Sequence, residues 1–332
     1  MKKTLARWAQ DIWYKDPFIG VWLCPLGFLF GDLVRFRKFL YRLGLLKTQA
    51  VPVPVIIVGN ITVGGTGKTP LVIWLTRLLM EAGYRPGIIS RGYGGTAESW
   101  PQRVDANSSA ERVGDEALLL AKQTGCPMAV GPLRADAAKL LLTQADCDVI
   151  VSDDGLQHYA LARTIEIAVI DGERRFGNGY CLPAGPLREP IERLQSVDFR
   201  VVNGGEAEDN EFPMRLTGDN AINLATGRQK PLQDFSASEC HALAGIGNPE
   251  RFFKLLEAAG VSCITRSFPD HYKFAPHDIE LNDDKPVLMT EKDAVKCTAF
   301  AGPRHWYVPV KAVLAPEFSE QLLNLLKTKH NG

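Results

Sequence analysis

The residues with the clearest chemistry lie at 62–69, which read TVGGTGKT. An apolar segment at 53–59 precedes them, and an amphipathic segment from Lys68 follows. A strand, a glycine-rich turn and a helix N-terminus in this order form a P-loop, whose backbone N–H groups surround phosphate oxygens. Lys68 would reach the β- and γ-phosphates, and the Thr69 hydroxyl would bind Mg²⁺. The spacing predicts an ATP-type site formed by Thr62, Val63, Gly64, Gly65, Thr66, Gly67, Lys68 and Thr69.

The loop departs from the strict pattern G-x-x-x-x-G-K-[ST] at its first position, which is Thr62. The alternative is a glycine-rich turn with an incidental lysine. A related loop of partner-driven dimeric ATPases carries a lysine before its Gly-Gly pair, where this chain has Val63. That difference argues against the dimeric ATPase class.

Adjacent carboxylates form the second chemical signal. Asp153 and Asp154 end the apolar segment 148–153. Ligands of open α/β sheets bind at the carboxyl ends of strands, and an aspartate there holds Mg²⁺ or its waters opposite a P-loop. The alternative is an aspartate that caps a turn. Asp115 and Glu116 begin a predicted helix, where acidic residues are common for capping alone.

Other polar residues are weaker signals. Arg91 and Tyr93 follow a predicted strand, and Arg134 and Arg188 stand where a guanidinium can bind phosphate. His271 lies in a loop, where a histidine by pattern alone is ordinary surface. Glu291 replaces the lysine that the guanine-reading motif needs, so GTP specificity is unsupported.

Short apolar strands alternate with helices, which predicts an α/β fold with a mostly parallel sheet covered on both faces. Two short runs at 212–226 are joined by Gly218-Asp219-Asn220 and predict a β-hairpin. The predicted division has an N-terminal membrane-interface segment, a P-loop domain, a β-hairpin linker and a smaller C-terminal α/β domain, at 1–50, 51–211, 212–238 and 239–330 respectively.

Composition excludes several classes of protein. The 332 residues are 45% hydrophobic and 23% charged, and Lys plus Arg equal Asp plus Glu at 38 each. A neutral chain is not built to coat nucleic acid, so no nucleic-acid partner is expected, and no protein partner is evident. The seven cysteines include no CxxC pair, which favours reduced thiols over disulfides or a zinc site.

The N-terminus combines apolar and basic residues. Residues 17–31 carry no charge, and fifteen helical residues span roughly 22 Å, short of the ~30 Å hydrocarbon core. A basic amphipathic stretch, 32–47, follows. Residues 1–47 hold nine Lys or Arg against three Asp or Glu. Together they predict an anchor on an anionic membrane surface. The alternative is a helix packed on the protein body.

Taken together, the motifs resemble the tetraacyldisaccharide 4'-kinase family of lipid A biosynthesis. They are TVGGTGKTP, SRGYGG, GDEALLLA, DDGLQH, PAGPLREP, FPDHYKF and TEKDAVK, between residues 55 and 296. The resemblance implies a P-loop kinase fold whose smaller C-terminal domain closes over ATP. It implies transfer of the γ-phosphate to the 4'-hydroxyl of tetraacyldisaccharide 1-phosphate, giving lipid IVA, by an enzyme attached peripherally or monotopically to the cytoplasmic face of the inner membrane.

The resemblance also implies roles for residues. Asp115 is similar to the family's catalytic base, His271 resembles its partner, and Lys68 is the P-loop lysine. Glu189 would touch the nucleotide. Thr69, Glu116, Asp153 and Asp154 would surround Mg²⁺, and Arg91, Tyr93, Arg134, Gln157 and His158 would face the acylated sugar and its phosphate.

Two other functions stay open. One is a soluble P-loop kinase for another small-molecule alcohol, in which the N-terminal segment is core. The other is a regulatory ATPase that switches partners.

Overall fold

The computed structural model describes residues 11–14 and 21–330, arranged as two mixed sheets with helices packed against them. The larger sheet has nine strands in the order β15-β8-β7-β6-β1-β5-β2-β4-β3. Its strands are β1 Val55–Gly59, β2 Pro86–Ser90, β3 Gln102–Val104, β4 Met128–Val130, β5 Val149–Asp153, β6 Ile165–Asp171, β7 Phe199–Asn203, β8 Phe212–Thr217 and β15 Lys311–Leu314.

The seven strands from β8 to β4 run parallel, and the two edge strands are antiparallel to their neighbours. Strands β1, β2, β5 and β6 are buried along their whole length, as expected for apolar strands covered on both faces. The predicted α/β fold with a mostly parallel sheet is confirmed.

Helices cover both faces of this sheet. Helices α2 (Lys68–Glu81) and α4 (Asp115–Thr124) bury leucines in one core, and α5 (Arg134–Gln144) packs into the other. A short helix α3 (Ala110–Val113) leads into α4 through Gly114. The predicted alternation of strands with helices is therefore confirmed in this unit.

The smaller sheet has six strands in the order β10-β9-β14-β13-β11-β12. They are β9 Asn220–Asn223, β10 Gln229–Pro231, β11 Cys240–Ala244, β12 Cys263–Ser267, β13 Val287–Thr290 and β14 His305–Val308. Three helices accompany them, α6 Pro249–Ala258, α7 Pro276–Ile279 and α8 Glu291–Cys297.

The hairpin predicted at 212–226 is wrong in its pairing. Strand β8 joins the larger sheet between β7 and β15, so both of its hydrogen-bonding edges are occupied. Strand β9 pairs instead with β10 and β14 in the smaller sheet. The Gly218-Asp219 step therefore carries the chain from one sheet to the other, and the hairpin forms one strand later, between β9 and β10.

The C-terminal residues return to the larger sheet, although the predicted division places them in the smaller domain. Strand β15 pairs with β8, and helix α9 (Pro316–His330) packs against the same sheet. Phe318, Leu322 and Leu326 recur one turn apart and are fully buried in the larger core. Burial of this apolar stripe accounts for the return.

Helix α1 (Cys24–Arg42) lies on the body of the larger unit through its small residues. A Cβ built on Gly27 would lie 2.9 Å from the Cβ of Ala184, so the close approach requires glycine. The helix also exposes Phe28, Leu29, Leu33 and Phe36, and Trp22 is exposed in the turn that precedes it, each more than half accessible. In the described ranges no helix is long and apolar enough to cross a membrane. Residues 17–20 of the predicted apolar run lie outside the described residues.

Candidate active site

The glycine-rich turn adopts conformations that side chains rarely allow. Gly67 precedes α2 with φ of +93°, in the left-handed region. A Cβ on Gly67 would lie 2.2 Å from Nδ2 of Asn203, which donates a 2.9 Å hydrogen bond to the Thr66 carbonyl. The turn is therefore held against the end of β7 by Asn203. Sequence reasoning missed this residue, although it ends a strand beside the predicted loop.

Lys68 lies among polar partners at the end of β1. Its Nζ is 3.4 Å from Oδ1 of Asp154 and 3.3 Å from Oδ1 of Asn60. Arg188 adds a second cation, 3.0 Å from Oδ2 of Asp154. Burial raises the pKa of Asp154, but Lys68 and Arg188 outweigh it and hold that pKa well below its usual range. Asp154 is thus an anion that positions two cations.

Asp153 has the opposite environment. Its side chain is 1% exposed, and its Oδ1 lacks a hydrogen-bond partner in the part of the chain that the structure describes. Its Oδ2 accepts a 3.4 Å hydrogen bond from Ser90. Burial, followed by the nearby charges of Glu116 and Asp154, raises the pKa of Asp153 to about 7. A cation beside this carboxylate would relieve both effects.

Asp115 and His271 meet across the two sheets. The Nδ1 of His271 lies 3.0 Å from Oδ1 and 3.2 Å from Oδ2 of Asp115. His271 has φ of +57°, and its ring centroid lies 4.9 Å from that of Tyr93. A non-glycine residue in this region is held there by its surroundings. The structure therefore joins two residues that the resemblance paired.

The charges around Asp115 keep it ionised. Burial raises its pKa, but the hydrogen bond from His271 and the charges of Lys292 and Lys296 lower it to about 2. Burial lowers the pKa of His271, but the hydrogen bond to Asp115 and nearby carboxylates raise it. The net shift of this pKa is upward. The pair therefore holds a negative carboxylate beside an imidazole that gains a proton readily.

Lys292 forms ion pairs with two carboxylates near Asp115 and His271. Its Nζ lies 2.8 Å from Oε1 of Glu116 and 3.0 Å from Oδ1 of Asp270. Burial lowers its pKa, but Glu116, Asp270 and Asp115 raise it well above the ordinary value. The motif TEKDAVK begins at the end of β13, but no sequence pattern singled out its lysine.

Arg134 carries a buried and partly unpaired guanidinium. It is 2% exposed, and Nη1 donates to the Gly131 carbonyl at 2.9 Å. Its Nε and Nη2 have no partner among the described residues. Burial lowers the pKa of Arg134 to about 10, against the charges of Asp153 and Asp154. It therefore retains two donors for an anionic group.

Glu189, which the resemblance places at the nucleotide, is buried among other polar side chains. It is 1% exposed and accepts hydrogen bonds from Gln157 at 2.8 Å and from the Tyr159 hydroxyl. Arg193 lies 3.7 Å from it. Gln157 also donates to the Asn60 carbonyl at 3.0 Å. Gln157 therefore links Glu189 to the backbone directly after β1.

A cleft of about 860 Å³ lies between the two sheets. One end is lined by Gly65–Thr69, Glu116, Asp270 and Lys292, and the other by the β8–β9 crossing and α6. The predicted residues that fall outside its lining are Thr62, Val63, Gly64, Arg91, Tyr93, Asp115, Arg134, Asp153, Asp154, Gln157, His158, Glu189 and His271. The glycine-rich turn thus lies at one end of the cleft, and mainly apolar side chains line the other.

His158 should titrate unusually low. Burial, then Arg134 and Arg91, lowers its pKa from 6.5 to about 4. Above pH 6.5 the imidazole is neutral in both the folded and the unfolded chain, so it does not affect the free energy of unfolding. Between 6.5 and 4 the unfolded chain binds more protons, so the fold loses stability as pH falls through this range. We expect an NMR titration to place the His158 pKa near 4, and Arg91→Gln to raise it. An ordinary value in both proteins would contradict this environment.

A parallel sheet with a glycine-rich loop after β1 and acidic residues at the end of neighbouring β5 defines a P-loop nucleotide-binding protein. The family model described as tetraacyldisaccharide-1-P 4'-kinase matches residues 19–327. The chain belongs to this family.

Two curated relatives are named tetraacyldisaccharide 4'-kinase. One from Nitrosococcus oceani is 52% identical over 315 residues, covering 95% of this chain and 93% of its own length. One from Actinobacillus pleuropneumoniae serotype 5b is 51% identical over 317 residues, covering 95% and 97%. A crystal structure of LpxK from Aquifex aeolicus, described as in complex with ATP, matches with a TM-score of 0.79 and 29% identity, covering 94% of this chain and 99% of that one.

Proposed function

We propose that this chain transfers the γ-phosphate of ATP to the 4'-hydroxyl of tetraacyldisaccharide 1-phosphate, forming lipid IVA. Family membership supports the reaction, and one feature of the site carries its assignment to residues. Asp115 and Glu116 are consecutive at the start of α4, and Glu116 lines the same cleft end as Lys68 and Thr69. A carboxylate paired with His271 therefore stands beside the phosphate-binding end of the cleft.

ATP would bind with its phosphates on Gly65–Thr69 and its base toward the β8–β9 crossing and α6. The smaller unit, formed around β9 to β14, would close over it, and the P-loop unit would comprise 51–217 with the returning residues 311–330. Hydrogen bonds join the two units across the cleft. Arg251 donates a 2.8 Å hydrogen bond to Asp171, and Arg174 donates one of 2.8 Å to the Gly247 carbonyl.

Magnesium fits the residues at the end of β5. Within the described ranges no cluster of three or more His, Cys, Asp or Glu could hold a metal alone. Mg²⁺ at a P-loop takes few protein ligands and keeps waters and phosphate oxygens. The orphaned Oδ1 of Asp153 suits a cation, so Asp153 and the Thr69 hydroxyl would hold the ion. Bound there, it would neutralise phosphate charge.

The other two predicted metal residues have different partners. Asp154 is bound to Lys68 and Arg188, and Glu116 is bound to Lys292. We infer that Asp154 positions the lysine and that Glu116 meets the ion through water.

Asp115 would accept the proton of the 4'-hydroxyl. A carboxylate with a pKa of about 2 is a weak base, but in a loose phosphoryl transfer the proton leaves late, when the hydroxyl is already acidic. Lys68 would stabilise the charge of the transferring group. His271 would hold the carboxylate in place.

The sugar would meet a basic region on the far side of Asp154. Arg134 has two free donors, His158 is neutral at pH 7 with a pKa of about 4, and Tyr93 is 61% exposed beside His271. Together with Arg91 they suit a phosphorylated sugar. Gln157 would act through Glu189 as support.

The reaction can be tested with γ-labelled ATP, Mg²⁺ and the acceptor in mixed micelles. We expect the label in the lipid. A matched acceptor that already carries a 4'-phosphate should take none. Label found only in free phosphate would contradict the kinase assignment and favour an ATPase, and label in a soluble alcohol alone would favour the small-metabolite kinase.

We also propose that α1 binds an anionic membrane surface, at the inner membrane's cytoplasmic face. Replacing Arg35, Arg37 and Lys38 with Gln should weaken sedimentation with anionic vesicles, by about fivefold for each charge. The physical reason is the loss of attraction to lipid phosphates.

The control for this triple variant removes three exposed charges elsewhere, at Arg228, Lys311 and Lys327. If both triple variants lost vesicle binding equally, the anchor would not lie on α1.

A further inference from the structure

A second cavity, of about 210 Å³, lies between the last two turns of α1 and the 3₁₀ turn Ile191–Ser196. It shares no lining residue with the cleft that contains the P-loop. Four cations line it, Arg35, Lys38, Arg42 and Arg193, together with the carboxylates Glu189 and Glu192.

Two of the four cations are already neutralised. Arg193 is 3% exposed in its side chain and pairs with Glu166 and Glu189. Arg35 lies 2.9 Å from Asp32 and 3.5 Å from Glu192. Their charges are therefore balanced within the protein.

Lys38 and Arg42 are not balanced in this way. Lys38 donates a 3.0 Å hydrogen bond to the neutral Ser196 hydroxyl, and neither cation forms an ion pair with a described residue. Burial, then Arg193 and Arg42, lowers the pKa of Lys38. Glu189 and Glu166 act in the opposite direction on that pKa, but neither lies within ion-pair distance of Lys38. Lys38 and Arg42 are thus the two cations of the cavity that a bound anion would pair with.

An exposed apolar rim follows the helix beside the cavity. Phe39 lines the cavity and is 52% accessible, and Phe36 and Leu43, three and four positions from it along the chain, are 57% and 56% accessible. A free phosphate ion would gain nothing from such a rim. A lipid would place its headgroup phosphate among the cations and its acyl chains against the aromatic and aliphatic side chains.

We propose that this cavity binds the headgroup phosphate of an anionic glycerophospholipid, through Lys38 and Arg42. The bound lipid fixes the depth and rotation of α1 in the interface. This inference rests on the proposed function only in assuming that the acceptor resides in a membrane.

The first test compares two charge-matched double variants of the full chain, Lys38→Gln/Arg42→Gln and Arg37→Gln/Lys47→Gln. Binding is measured to phosphatidylcholine vesicles with and without phosphatidylglycerol. Each pair should lose affinity about fivefold per charge from the surface potential. The first pair should lose roughly tenfold more, as expected for hydrogen bonds to a charged group. Equal losses would overturn the proposal.

The second test uses monomeric probes. Dihexanoyl phosphatidylglycerol below its micelle concentration should bind saturably to the wild-type chain and not to the Lys38→Gln/Arg42→Gln variant. Arg42→Gln alone, at an exposed position, repeats the test if the double variant is unstable. Inorganic phosphate should bind more weakly. If glucosamine 1-phosphate bound this cavity more tightly than the phospholipid, the site would belong to the sugar acceptor and the proposal would fail.

The two proposals fail separately. Label transfer to the lipid acceptor is measured in neutral detergent without phospholipid, so its absence contradicts the kinase reaction alone. Headgroup binding is read from vesicles and soluble probes without ATP.

Discussion

Replacing Lys68 with alanine should lower kcat by about 10²–10³-fold or more, since one preorganised donor to developing charge contributes about that much. Lys68 is the first residue of α2, and it lines the cleft together with the rest of the segment Gly65–Thr69. Without it, the transferring phosphate would lose its nearest protein cation. The measurement is label transfer to lipid at saturating ATP and acceptor.

The loss should not come from unfolding. Asp154 keeps its ion pair with Arg188 at 3.0 Å when Lys68 is removed, so the carboxylate that Lys68 contacts is not left unpaired. Circular dichroism and the thermal midpoint should therefore stay close to wild type. Lys327→Ala, an exposed lysine on α9, is the matched control and should retain turnover. A near-normal kcat for Lys68→Ala would overturn the P-loop assignment.

Asp115→Ala should reduce kcat by about 10²–10⁴-fold, as expected for loss of general base catalysis. The KM for ATP should change little, because Asp115 does not line the nucleotide cleft. Asp115→Asn keeps the size of the side chain and removes its charge, so it should be similarly impaired. Asp284→Ala, an exposed aspartate, serves as the control. An effect on KM alone would make Asp115 a ligand and not a base.

His271→Ala tests whether the two residues act as a unit. The hydrogen bond from His271 is the largest contribution that lowers the pKa of Asp115, so its removal should raise that pKa from about 2. The double variant should be no slower than Asp115→Ala alone, because groups that act together are non-additive. Additive losses would show that His271 has a role independent of Asp115.

The contributions of Asp115 and His271 to the free energy of unfolding depend on pH in opposite directions. The pKa of Asp115 is depressed, so the stability gained from its anion is present above 3.8 and is lost only as pH falls toward 2. The pKa of His271 is raised, so its contribution is full below 6.5 and declines as pH rises through the folded value. An acid limb of the rate profile near neutral pH would therefore not report Asp115.

Local patterns predicted the phosphate loop and the strand ends around it. The loop at 62–69 requires glycine at Gly64 and Gly67, where φ is +112° and +93°. Both glycines lie within one short turn, so the amino-acid sequence of that turn is enough to predict it. The carboxylates Asp153 and Asp154 follow a buried apolar strand, and that order along the chain is enough to predict their position at the sheet edge.

Other assignments depended on contacts that local patterns do not encode. The turn signal Gly218-Asp219 predicted a hairpin, but β15 occupies the edge of β8 that β9 would have used. The apolar stripe of α9 is a property of its own residues, but the core in which it is buried is decided by the tertiary structure. The contact of Glu189 with the nucleotide stays a prediction, and local pattern did not indicate that Gln157 and Tyr159 bind its carboxylate.

The order of the amino acids alone established the P-loop, the alternating α/β pattern and the family, because each depends on residues close together along the chain. Which charges meet depended on how the chain folds in three dimensions. Asp115 and His271 are 156 positions apart, and Lys292 reaches Glu116 across 176. Such pairs form when two sheets pack and water leaves between them, and their pKa values follow from that burial and from the charges enclosed with them.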